Sequence, residues 1–126
     1  PKTFDSEILW SLIQDWRVKN NLQSYIKDQK LCDYADKRLQ EIHTDFSHNG
    51  FNKTSQYFLN ISGFNYLGEN LAKDYSSEQK MFDSWLNSPG HRENLDANYP
   101  YSCVRVDYSL TNNTSVIYAV QIFASY

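Results

Sequence analysis

The chain has 126 residues, a mass of 14.8 kDa, a formal net charge of −3 and a pI near 5.5. The length suits one domain over residues 1–126 with a sizeable core, and 40% hydrophobic, 21% charged and 16% aromatic residues exclude a disordered tail, a collagen-like fibre and a coiled coil. The acidic balance offers no electrostatic footprint for nucleic acid, and no uninterrupted apolar run approaches the roughly 20 residues of a membrane helix.

In chain order, Ile8, Leu9, Leu12, Ile13 and Trp16 recur on one face and predict a helix from about Ser6 to Lys19. A second helix is expected from Gln29 to Asp45, with Leu31, Ala35, Leu39, Ile42 and Phe46 as its buried stripe and Asp28 as its cap. Cys32 lies beside that stripe. Ser47–Phe51 reads as a loop, Thr54–Asn60 as a short helix and Phe64–Ala72 as extended chain around Gly68. Met81, Phe82, Trp85 and Leu86 predict a helix over Ser77–Asn87, with Ser76 and Gln79 matching a capping box. Ser88-Pro89 opens a short helical turn, since proline suits the first helical position.

The last quarter changes period. Cys103–Leu110 alternates, Thr111–Thr114 is a polar turn, and Val116–Ala124 is nearly all apolar. That pattern predicts a hairpin whose second strand is covered on both faces. Helices must supply the cover, so the expected architecture is α+β, with helices on both sides of a small central antiparallel sheet. Cys103 sits on the strand face opposite Val104 and Val106, and Cys32 on a helix that could cover it; one bond or two buried thiols both suit this placement. Pro1 in place of Met reads as a mature form or an excised domain. Sequons at Asn52, Asn60, Asn112 and Asn113 matter only in a eukaryotic secretory pathway.

Three histidines offer chemistry. His43 reads as a charge at a helix end. His48 lies in Phe46-Ser47-His48-Asn49-Gly50-Phe51, and His91 in Ser88-Pro89-Gly90-His91-Arg92-Glu93-Asn94-Leu95. Gly68-Glu69-Asn70-Leu71-Ala72 sets a carboxylate in an apolar stretch, where Glu69 needs a partner. Two imidazoles would supply it and would form a donor set suited to a divalent metal such as Zn²⁺. No His-Glu-x-x-His, Gly-x-Ser-x-Gly or phosphate loop is present, and Ser47 beside His48 does not define a nucleophile–base pair.

In order, these segments resemble the CAP superfamily (the SCP domain of cysteine-rich secretory, antigen 5 and pathogenesis-related proteins). The pieces that carry the likeness are Leu31-Cys32 with Ala35 and Arg38, the His48 and Glu69 segments, Trp85-Leu86-Asn87 running into the His91 segment, and Tyr118-Ala119-Val120-Gln121-Ile122-Phe123. The Ser-Pro-Gly-His-Arg piece is similar to the bacterial branch. The resemblance implies an α-β-α sandwich, an extracellular or cell-surface location, and a cleft of two histidines and two acidic residues that binds a divalent metal in some relatives.

By position, His48 and Glu69 match the family's first histidine and its Gly-Glu-Asn glutamate, and His91 resembles the bacterial second histidine. Ser88 stands where eukaryotic members place a glutamate, and Tyr118 where they place a histidine. Glu93 is the candidate second carboxylate; Ser47 and Asn70 are candidate lining residues. An extracytoplasmic setting favours a Cys32–Cys103 disulfide, closing about 70 residues and contributing roughly 4 kcal/mol.

Three functions follow from the resemblance. The first is a monomeric domain binding a lipid, glycan, protein or other small ligand. The second is a metal-dependent hydrolase of peptide or cell-wall material, with His48 and His91 on the metal and Glu69 activating water. The third is a structural surface domain with a vestigial cleft.

Overall fold

The computed structural model describes residues 5–111 and 114–126. The polar turn expected at Thr111–Thr114 and the sequons at Asn112 and Asn113 therefore lie at least partly outside the described residues, as does Pro1.

Helix α1 is Ser6–Lys19, and Asp5 caps it by accepting from the Glu7 N–H. Its inner face is Leu9, Ile13 and Arg17, while Ile8, expected inside, is exposed. Strand β1 is only Ile26–Lys27. Helix α2, Gln29–Ile42, starts where expected, with the Asp28 carboxylate accepting from the Lys30 and Leu31 N–H groups. It stops three residues before the expected Asp45, and Phe46 beyond it is exposed rather than buried. Helix α3 spans Asn49–Ser62, so the predicted loop and short helix are largely one helix that starts next to His48. Gly63 ends it in the left-handed region, φ 87°.

Strand β2 is Tyr66–Lys73 and helix α4 is Glu78–Asn87. The cap of α4 is Ser77, accepting from the Lys80 N–H, rather than the Ser76 of the expected capping box. Helix α5 is Pro89–Asp96, with proline at its first position. Strands β3, Tyr101–Thr111, and β4, Thr114–Ser125, form the hairpin.

The sheet order is β1-β3-β4-β2. The three long strands pair antiparallel, as expected, but β1 joins β3 in parallel, so the sheet is mixed. A two-residue strand has no alternation to read, which is why sequence pattern missed it.

Alternation on β4 sorts the core into two layers. Tyr118, Val120, Ile122 and Ala124 pack with Leu31, Ala35, Leu39 and Ile42 of α2. Ile117, Ala119 and Phe123 pack with Leu9 and Ile13 of α1, Met81, Phe82 and Trp85 of α4, and Leu95 of α5. Helices thus cover both faces of the sheet, and β4 is buried on both. Cys32 and Cys103 meet in the α2 layer as a disulfide, with Cα atoms 5.1 Å apart. No helix of the described residues is long and apolar enough to cross a membrane.

Candidate functional site

Strand β2 is an edge strand, and its alternation sends neighbouring residues to opposite faces. Glu69 lies opposite Ile122 and faces α2; Asn70 lies opposite Gln121 and faces α5. The site is built around this strand.

On the α2 side, Glu69 is buried with its side chain 1% exposed. Arg38, fully buried on α2, donates Nε–H to Oε2 at 2.6 Å and Nη2–H to Oε1 at 2.9 Å. This two-pronged contact matches the planar guanidinium to the carboxylate. Arg38 also donates to Glu41 Oε1 at 2.7 Å and to the Ser47 carbonyl at 2.9 Å. Burial alone would lower the Arg38 pKa, but the hydrogen bonds to Glu69 and Glu41 outweigh it and raise it. Burial pushes the Glu41 carboxyl up, and the Arg38 hydrogen bond and the Lys37 charge bring it below its usual value. A Cβ at Gly50 would meet the Arg38 guanidinium and the Glu41 carboxylate, so a side chain there would displace the ends of that pair.

His48, at the N-cap of α3, places Nδ1 2.8 Å from Glu69 Oε1. Because Arg38 has both carboxylate oxygens accepting, the network assigns the His48 hydrogen to Nδ1. The His48 side chain is 54% exposed, so its outer edge faces solvent.

On the α5 side, the Asn70 amide donates to the His91 carbonyl at 3.0 Å. Asn94 donates to Asn70 Oδ1 at 2.9 Å and to the Glu69 carbonyl at 3.2 Å. Side-chain amides thus tie α5 to the strand edge. His91 is half-buried, with Nδ1 2.8 Å from Ser88 Oγ. Burial, and then the nearby His48 charge, hold its pKa below the usual 6.5.

Between the two sides lies a cleft of about 260 Å³ lined by His48, Glu69, Asn70, Ser88, Gly90, His91 and Asn94. His48, Glu69, His91 and Asn70 therefore come together as expected. The expected pairing of Glu69 with two imidazoles is corrected: its partners are Arg38 and His48, while His91 bonds Ser88. Glu93 is exposed on α5 and does not line the cleft. Tyr118 lies opposite Lys73, four residues along β2 from Glu69, and packs on the His43 ring at 4.1 Å between centroids. Ser47 enters through its backbone carbonyl. Its hydroxyl bonds Asp45.

The donor set can be tested against a metal. Metal-binding histidines commonly fix one ring nitrogen by a hydrogen bond and coordinate through the other. Both rings meet this condition, and neither Nε2 has a hydrogen-bond partner among the described residues. Among the same residues, no three His, Cys, Asp or Glu side chains are grouped to hold an ion. The two histidines are thus the available nitrogen donors of the cleft, with Glu69 orienting His48, and the set falls short of the three protein ligands of an ordinary zinc site.

A two-layer helical cover over a small sheet, with two histidines and a buried glutamate at the sheet edge, defines an SCP-type domain. The chain belongs to the CAP family, the cysteine-rich secretory protein family, whose model matches residues 10–123. It is similar in structure to an outer surface protein of Borrelia burgdorferi, with TM-score 0.76, 25% identity, and coverage of 94% of this chain and 90% of that one. An extracellular SCP-domain protein of Bacillus anthracis aligns at TM-score 0.74 and 24% identity, over 96% of this chain and 40% of that one. A cysteine-rich secretory protein of Staphylococcus aureus aligns at 0.73 and 17%, over 96% and 38%. Among curated proteins, none matches.

Proposed function

We propose that the chain is a ligand-binding domain that works outside the cytoplasm and uses the His48/His91 cleft as its recognition site, with a divalent metal such as Zn²⁺ as part of that site. One observation carries this reading: both imidazoles line one cleft with Nδ1 fixed, His48 by Glu69 and His91 by Ser88. Pre-set rings lose little freedom when they take up a ligand. His48 and His91 would hold the metal, and the metal would supply Lewis acidity toward an incoming oxygen or nitrogen ligand. Arg38 orients Glu69, Glu69 orients His48, and Asn70 and Asn94 hold α5 and its histidine at the strand edge.

Extracytoplasmic action is supported by the Cys32–Cys103 disulfide, which persists in oxidising compartments. The outer surface and extracellular descriptions of the Borrelia and Bacillus relatives agree with it. The hydrolase reading has less support, because it needs Glu69 to activate water and Arg38 already engages both of its oxygens.

Calorimetry with Zn²⁺ tests the proposal. The wild type should bind at pH 8 and more weakly at pH 5, because protons compete with the metal for histidine nitrogens as pH falls. His48→Ala and His91→Ala should each lose binding. No uptake at pH 8, or unchanged uptake in the double variant, would overturn it.

A further inference from the structure

Ser88 sits at the N-cap of α5, where a serine hydroxyl normally accepts a hydrogen bond from an amide of the first turn. Here it makes no such bond. It lies 2.8 Å from His91 Nδ1 instead, at the rim of the cleft. The spacing is one helical turn, Ser88-Pro89-Gly90-His91. Serine acyl-enzymes with a Ser-x-x-Lys motif use the same i, i+3 relation to stand a base over a nucleophile at a helix start.

The surroundings suit an acyl group. Pro89 has no N–H, and the Arg92 N–H is taken by the Ser88 carbonyl. Gly90 and His91 carry the remaining first-turn amides, which have no acceptor inside the helix and are not capped by Ser88. Two such amides beside a nucleophile are the donors that a developing oxyanion requires. A Cβ placed on Gly90 would meet nothing within 4 Å, so the space above the turn is open.

We propose that Ser88 is a nucleophile activated by His91, giving the cleft a serine-type acyl-transfer activity on small carboxylic esters. The Ser88 Oγ–H proton passes to His91 Nδ1 as the Oγ–acyl carbon bond forms. The carbonyl oxygen takes the negative charge next to the Gly90 and His91 amides. Collapse breaks the bond between the acyl carbon and the alkoxy oxygen, and His91 returns the proton to the departing alcohol. Water then attacks acyl-Ser88 by the same route, releasing the carboxylic acid and restoring the serine. The activity needs the cleft to admit a ligand, as in the binding reading, but it does not need the metal. Coordination through His91 Nε2 would leave the hydrogen on Nδ1 and stop that atom from accepting the serine proton.

The experiment treats the folded chain, with EDTA present, with a biotinylated fluorophosphonate, and maps the adduct by peptide mass spectrometry. The expected result is an adduct on Ser88 of the wild type, absent in Ser88→Ala and slowed on the order of 100-fold in His91→Gln. A thermal melt of each variant checks that it is folded. No adduct on Ser88 of the folded wild type, or an unchanged rate in His91→Gln, overturns the proposal. Zn²⁺ separates the two readings: labelling that Zn²⁺ suppresses supports both, whereas labelling of Ser88 that Zn²⁺ leaves untouched supports the nucleophile and counts against the metal.

Discussion

Arg38 lies under the cleft with no exposed surface and donates to Glu69, Glu41 and the Ser47 carbonyl. Removing it leaves Glu69 buried with only the His48 ring as a side-chain hydrogen-bond partner, and breaking one side of such a pair costs about 3–5 kcal/mol. Arg38→Met should therefore lower the urea-unfolding free energy by that amount, and Arg38→Met/Glu69→Leu should recover most of it. Equal losses in the single and double variants would show that the pair is not the cause. His91 makes a second prediction. Burial, then the His48 charge, depress its pKa in the folded chain. Below its usual 6.5 the unfolded chain therefore binds a proton that the folded chain binds less readily. Its contribution is fully present above that pH and is lost as pH falls through the folded value. Unfolding free energy should drop more steeply between pH 7 and pH 5 in the wild type than in His91→Gln, and identical slopes would refute it. Much of this site was legible: His48, Glu69, Asn70 and His91 stand out as polar groups in recognisable segments. That Arg38 neutralises Glu69 was not, because the two are 31 residues apart and only the packing of α2 on β2 joins them. The Ser88–His91 spacing of one helical turn is visible in the sequence, but the contact between their side chains is set by the start of α5.

At the level of elements, the disulfide ties α2 to β3 across a separation of 71 residues. In the chain-entropy model a loop of that length contributes roughly 4 kcal/mol. Cys32→Ala/Cys103→Ala should unfold at correspondingly lower urea, and dithiothreitol should bring the wild type to the same midpoint. A midpoint that neither change moves would show the bond to be thermodynamically silent. The long helices and the hairpin were readable because each carries an apolar period over two or more turns or several strand residues. α3 was only half readable: its first turn, Asn49-Gly50-Phe51-Asn52, has little apolar pattern and holds a glycine that lies against the ends of Arg38 and Glu41. The end of α2 was overrun because Phe46 fits the helical spacing and yet lies outside the core. β1 exists by pairing with β3, a tertiary fact that two residues cannot announce.

For the whole molecule, the strand order decides how the parts depend on one another. β4 hydrogen-bonds β3 on one side and β2 on the other, and its two faces join the two helical layers. A chain stopped at Thr111 should show no cooperative urea transition by circular dichroism, whereas a folded fragment would mean that one layer stands alone. The cleft inherits this dependence, since among the described residues β2 joins the rest of the sheet only through β4. The residues at the centre of the sheet are thus among the last of this domain to leave the ribosome. Until they emerge, the earlier segments have no sheet to close on, and the nascent chain stays open.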